Sequence, residues 1–264
     1  MRLTVVGCSG SMSGPASAGS CYLVQADGAD EQGRPRTWSV VLDLGPGAMG
    51  ALMTHVDPAA LDAVALSHLH ADHMVDLIGM QVYRRWRPGG PLGPLPVHAP
   101  VGALERVRGV GGDDEDEDYA GEFAFLEHDP ARPIQIGPMR LQVFEVNHPV
   151  PAYGIRVTGP AEDGDGEVSL AYTGDTDSCD NLIAMADGVD LLLSEAAFQE
   201  GRDTVRGVHL TGRRAGEVAA TANVRRLVLT HLQPWTDPEV VRGEAHEVYR
   251  GPVDLAAPGA VWML

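Results

Sequence analysis

Between His68 and His73 the chain Ser67-His68-Leu69-His70-Ala71-Asp72-His73 places three imidazoles and one carboxylate. This H-x-H-x-D-H run follows the apolar stretch Ala63 to Leu66 and precedes a predicted helix from His73 to Trp86, where Met74, Leu77, Ile78, Gln81 and Val82 have approximately helical spacing. A turn between a strand and a helix can converge such side chains on one small volume. Imidazole together with carboxylate suits zinc or a similar transition metal. Three more residues share this placement: His148 after Arg140 to Asn147, Asp175 after Val168 to Thr173, and His231 after Leu227 to Thr230. Each closes a predicted strand, so one edge of a sheet can present them all.

The elements that must position these groups follow a repeated rhythm. Leu3 to Val6, Tyr22 to Gln25 and Trp38 to Leu42 are predicted strands, followed by a helix near Ala48 to His55. The second half adds strands at Tyr153 to Thr158 and Leu191 to Ser194, with helices over Cys179 to Ala186, Thr211 to Ala222 and Pro238 to Tyr249. Two halves, each a β-meander followed by β/α units, imply an α/β sandwich of two sheets with helices outside. With no linker between them, residues 1–264 are expected to form one domain. The Gly/Ser-rich segment Gly7 to Ser20 and the segment Arg87 to Pro96 are expected to be loops, the former long and mobile. Asp113 to Asp118 is a run of acidic residues, expected to be solvated and mobile.

The formal charge is −18, and all 19 basic residues other than His are Arg. Without Lys, Schiff-base chemistry and the phosphate-binding Lys of a P-loop are excluded. The acidity argues against long nucleic acids and anionic membranes as partners, but not against a small anion bound at a local positive centre. Three Cys without CxxC spacing imply reduced thiols in a cytoplasmic protein. Too few apolar residues precede Cys8 for a lipoprotein signal, and no apolar stretch approaches a membrane span.

The ligand pattern resembles the metallo-β-lactamase superfamily over essentially the whole chain. The resemblance implies a four-layer αββα sandwich with a binuclear metal site at one edge. His68, His70 and His148 would hold one metal, and Asp72, His73 and His231 the other, with Asp175 bridging. Asp43, in Leu42-Asp43-Leu44-Gly45, matches the family's early aspartate, which supports the metal loop from behind. Seven protein ligands exceed the three or four that a single zinc uses, so two divalent ions are expected, zinc foremost and manganese as the alternative.

Ser194-Glu195-Ala196-Ala197 and His209-Leu210-Thr211 look like the paired motifs of the tRNase Z-like phosphodiesterase branch, although Ser194 and Leu210 depart from that pattern. The likeness implies that Glu195 orients His209 and that His209 protonates the leaving oxygen, after attack on phosphorus by a metal-bridging hydroxide; Asp72 is counted with them among the catalytic residues. Only 26 residues separate His148 from Asp175, too few for the arm that grips tRNA in the processing enzymes. The overall pattern is similar to actinobacterial cyclic nucleotide phosphodiesterases, which makes a small phosphodiester, 3′,5′-cAMP, the expected substrate and a homodimer the expected assembly. The competing readings are a tRNA 3′-processing endonuclease, a β-lactam or thioester hydrolase, and a non-enzymatic binding protein with a relic site.

Overall fold

Runs of leucine and β-branched residues pair into two sheets in a computed structural model that describes residues 1–164 and 166–264. The first sheet contains Arg2–Gly7 (β1), Cys21–Ala29 (β2), Pro35–Leu42 (β3), Ala63–Ala65 (β4), Leu95–Ala99 (β5) and Phe123–Glu127 (β6), side by side in that order. The second contains Ile134–Ile136 (β7), Met139–Glu145 (β8), Tyr153–Pro160 (β9), Glu167–Tyr172 (β10), Leu191–Glu195 (β11), Leu227–Thr230 (β12) and Val253–Leu255 (β13). The final strand Val261–Met263 (β14) returns to pair with β1. In each sheet an antiparallel meander gives way to parallel strands, from β3 onward in the first and from β10 onward in the second. Ligands bind outside the carboxyl ends of parallel strands, and the loops after β4, β10, β11 and β12 open at that edge.

The helices Ala48–Leu52 (α1), Ala71–Met74 (α2), Leu77–Trp86 (α3) and Ala103–Gly111 (α4) contribute to an apolar layer with the outer face of the first sheet. Asp180–Ala186 (α5), Gly212–Thr221 (α6) and Pro238–Val248 (α7) do the same for the second sheet. Leu3, Val5, Tyr22 and Leu42 share the inter-sheet core with Leu141, Val157, Tyr172 and Val228. Four layers therefore stack α/β/β/α in a single domain. The strand Leu191-Leu192-Leu193 shows why its sequence is apolar throughout: Leu191 and Leu193 belong to the inter-sheet core and Leu192 to the helical layer.

Several expectations are corrected. The predicted helix from His73 to Trp86 is two helices, α2 and α3, because Asp76 leaves the helical path: its amide donates to the Leu44 carbonyl and its carboxylate accepts from the Met49 amide at 2.8 Å. The Gly/Ser-rich segment after β1 is pinned rather than free, since Ser9 bridges to both Gly19 and Leu232 and the Cys8 amide donates to Ser17 Oγ at 2.9 Å. The segment thought to be loop up to Pro96 ends in β5, which begins at Leu95. The acidic run is exposed apart from Glu117, which pairs with Arg85 at 3.0 Å, and Asp113 accepts from the Tyr119 hydroxyl at 2.5 Å. No helix among the described residues is long and apolar enough to cross a membrane.

Candidate active site

The turn after β4 delivers His68 and His70, α2 delivers Asp72 and His73, and the loops after β8, β10 and β12 deliver His148, Asp175 and His231. Their donor atoms gather into two groups. Those of His68, His70 and His148 lie within 4.8 Å of one another, as do those of Asp72, His73, Asp175 and His231. Asp175 borders both groups, with Oδ1 at 3.2 Å from His73 Nε2, and Oδ2 at 3.4 Å from His231 Nε2 and 3.8 Å from His68 Nε2. Asp72 Oδ2 lies 3.4 Å from His73 Nε2. The backbone is bent to reach this arrangement: His231 has φ 57° and Asp43 φ 58°, left-handed conformations that cost a non-glycine residue free energy. Gly45 lets α2 approach, because a Cβ there would stand 2.0 Å from the Asp72 carbonyl oxygen.

Hydrogen bonds set which nitrogen of each ring faces the centre. His73 Nδ1 meets Asp43 Oδ2 at 2.7 Å, His148 Nδ1 meets the Val208 carbonyl at 2.9 Å, and His231 Nδ1 meets Ser20 Oγ at 3.0 Å. Each contact leaves Nε2 turned inward, the arrangement that orients a metal-ligating imidazole, and that of His231 also accepts from the Ser11 amide at 3.1 Å. Asp43 is fully buried and also accepts from the Ser67 amide at 2.6 Å, the Ser67 hydroxyl at 2.7 Å and the Tyr172 hydroxyl at 2.7 Å. It thus ties the strand end, the metal turn and the core tyrosine together. Asp43→Asn keeps the shape but weakens the acceptor. The expected outcome is a loss of metal affinity of about 10–100-fold, measured by competition with a chromophoric chelator.

The donor chemistry fits a cation. Nε2 of His73 and Oδ1 of Asp175 are buried without a hydrogen-bond partner among the described residues. His68 Nε2 and His148 Nε2 face His70 Nδ1 at 3.0 and 3.2 Å. Burial pushes His68 well below the ordinary imidazole range and also lowers His70, His148 and His231, favouring the neutral form that binds metal. At His73, burial is outweighed by Asp175 and Asp43, which raise its pKa. For Asp175, burial is outweighed by His231 and His73, which hold the carboxyl well below its usual range. Asp72 is held down in the same way by His73 and His231 against burial.

A second device adjoins this cluster. Glu195, at the end of β11, is fully buried; its Oε1 faces His209 Nδ1 at 3.0 Å and accepts from the amides of Thr176 at 3.0 Å and Leu210 at 3.1 Å, while Oε2 accepts from the Ala197 amide at 2.9 Å. Burial disfavours charge on His209, but the adjacent Glu195 carboxylate outweighs it and raises the pKa to about 9. Glu195 therefore favours the protonated ring, and among the described residues no hydrogen bond engages its Nε2.

Sequence reasoning missed the support beneath His209. Buried Asp177 accepts from the Gly207 amide at 2.7 Å, Arg206 Nε at 2.7 Å and Arg214 Nη1 at 2.5 Å, and the same Arg214 nitrogen donates to the His209 carbonyl at 3.0 Å. Those partners are 29 to 37 residues away in the chain, so no local motif announces them. His128, which contacts the Leu66 carbonyl through Nε2 at 2.8 Å just ahead of the metal turn, was missed for the same reason.

The chain belongs to the beta-lactamase superfamily, whose domain profile matches residues 39–232. It is 40% identical over 257 residues to an uncharacterized protein of Mycobacterium tuberculosis, an alignment covering 96% of this chain and 88% of that one. It is 30% identical to the probable metallo-hydrolase YhfI of Bacillus subtilis, covering 99% of each chain. The crystal structure of YhfI superposes with a TM-score of 0.83 at 28% identity, over 99% of this chain and 98% of that one. A ribonuclease Z of Methanopyrus kandleri is 29% identical over 247 residues, covering 80% of this chain and 82% of its own. The fold and the His/Asp cluster together define a metallo-hydrolase.

Proposed function

We propose that the protein is a phosphodiesterase acting on a small cyclic nucleotide, 3′,5′-cAMP foremost. The observation that carries this reading is the Glu195–His209 pair, at 3.0 Å, beside the metal cluster. A phosphodiester expels a strongly basic alkoxide, which needs a proton, and His209 is built to deliver one. Glu195 holds Nδ1, so the proton passes from Nε2 to the leaving oxygen and the ring ends neutral. His68, His70 and His148 would hold one divalent ion, and Asp72, His73 and His231 the other, with Asp175 shared between them. When bound, two such ions, zinc or else manganese, supply Lewis acidity toward the phosphoryl oxygens and lower the pKa of a water.

A small substrate is favoured over tRNA by two features. The residues between His148 and Asp175 are largely taken up by β9 and β10, and the net charge of −18 repels a long polyanion. The family relation to a ribonuclease Z supports diester chemistry at the same centre. A cytoplasmic homodimer completes the proposal. The test is a side-by-side assay of 3′,5′-cAMP, 2′,3′-cyclic nucleotides and precursor tRNA with metal-loaded protein. Hydrolysis of 3′,5′-cAMP above the others is expected; cleavage of precursor tRNA alone would overturn the substrate assignment.

A further inference from the structure

One groove opens directly from the metal cluster and is lined quite differently from it. His70 lines it, and so does Leu69, which stands between two of the proposed ligands in the chain. Val150 and Pro151, from the loop that carries His148, also line it, as do Pro100 and Val101 from the turn between β5 and α4. Three segments distant in sequence thus bring aliphatic and proline side chains to one site. Val101 is 63% exposed, an apolar side chain at the rim. The groove encloses about 380 Å³, within the range of sites that hold small molecules.

Among the described residues that line it, the one cation is Arg106, on α4. Arg106 Nε donates to the Leu69 carbonyl at 3.1 Å, and the side chain makes no ion pair among the described residues. The terminal nitrogens of this guanidinium remain available to a ligand. In a chain of charge −18, that placement beside the ligand turn favours an electron-rich group rather than a cation.

We propose that this groove is the base-binding subsite: the nucleobase lies against Val101, Val150 and Pro151, with Arg106 at its edge, while the phosphate engages the metal cluster past His70. The proposal rests on the phosphodiesterase reading above and adds what that reading lacks, a recognition element for the nucleoside. A flat π-system covered by aliphatic and proline faces loses its hydration on both sides, and a guanidinium can donate to ring nitrogens or stack on the ring. Neither Val101 nor Arg106 touches the Glu195–His209 device, so their contribution belongs to substrate selection.

The experiment compares kcat/KM for 3′,5′-cAMP with kcat/KM for methyl p-nitrophenyl phosphate, a diester with no base, in metal-loaded wild type, Val101→Asp and Arg106→Ala. Both sites are exposed, and equal melting temperatures would show that the variants fold. The expected result is a fall of about tenfold or more in the ratio of cAMP to methyl ester for each variant, carried by KM. A ratio that stays within about twofold in both variants would overturn the groove. So would a wild type that cleaves the methyl ester but no nucleotide, and in that case phosphodiester chemistry stands. A wild type that cleaves neither diester overturns both.

Discussion

Asp175→Ala is expected to remove hydrolysis of both bis(p-nitrophenyl) phosphate and cAMP, with a loss of about 10³-fold or more, and treating wild type with a strong chelator is expected to do the same. Among the described residues Asp175 is the one carboxylate within 4 Å of His68, His73 and His231 together, so it faces both groups of donor atoms. Without it, His73 Nε2 loses its nearest opposite charge, and the two donor groups lose the oxygen pair that joins them. Metal binding itself must then weaken. Wild type should show a rise in melting temperature on adding zinc, because a ligand that binds only the folded state stabilises it by mass action. In Asp175→Ala that rise should shrink markedly. Chelated wild type, or the alanine variant, working at an undiminished rate would sink the metal-dependent reading, and a metal-induced rise equal to wild type would show that Asp175 is no ligand.

Much of this centre was legible because its chemistry is written locally. His68, His70, Asp72 and His73 occupy one turn, and the other ligand-type residues each close a strand whose apolar run is visible in the sequence. Even Asp43 could be singled out from its short motif. What holds the centre in shape was illegible, since it depends on backbone atoms and distant partners. The Val208 carbonyl turns the His148 ring, Ser20 turns His231, and the buried Asp177–Arg214 pair clamps the segment that carries His209. The same limit applied to the fold. Continuously apolar, doubly buried strands such as Leu191–Glu195 announced themselves, whereas the three-residue strands Ile134–Ile136 and Val253–Leu255 lack enough residues to show a period. The helix break at Asp76 depends on contacts with Leu44 and Met49, which lie on another segment.

His209→Ala should separate substrates by their leaving groups. If the ring donates its proton to the departing oxygen, its removal must cost most where that oxygen is a strong base. Cleavage of cAMP expels a ribose alkoxide, so kcat is expected to fall by about 10²–10⁴-fold. Cleavage of bis(p-nitrophenyl) phosphate expels a phenolate stable enough to depart unaided, so the loss there should be far smaller. Glu195→Gln should show the same ordering with a smaller effect: the imidazole remains, but Nδ1 loses the carboxylate that holds it at 3.0 Å. Arg214 offers a contrast. It grips the His209 carbonyl and Asp177 without offering a proton, so Arg214→Gln should displace the segment and depress both substrates together. Equal losses on the two substrates in His209→Ala would reassign the ring from proton donor to support for the metal cluster. A fall confined to the substrate with the basic leaving group would fix its role as the acid.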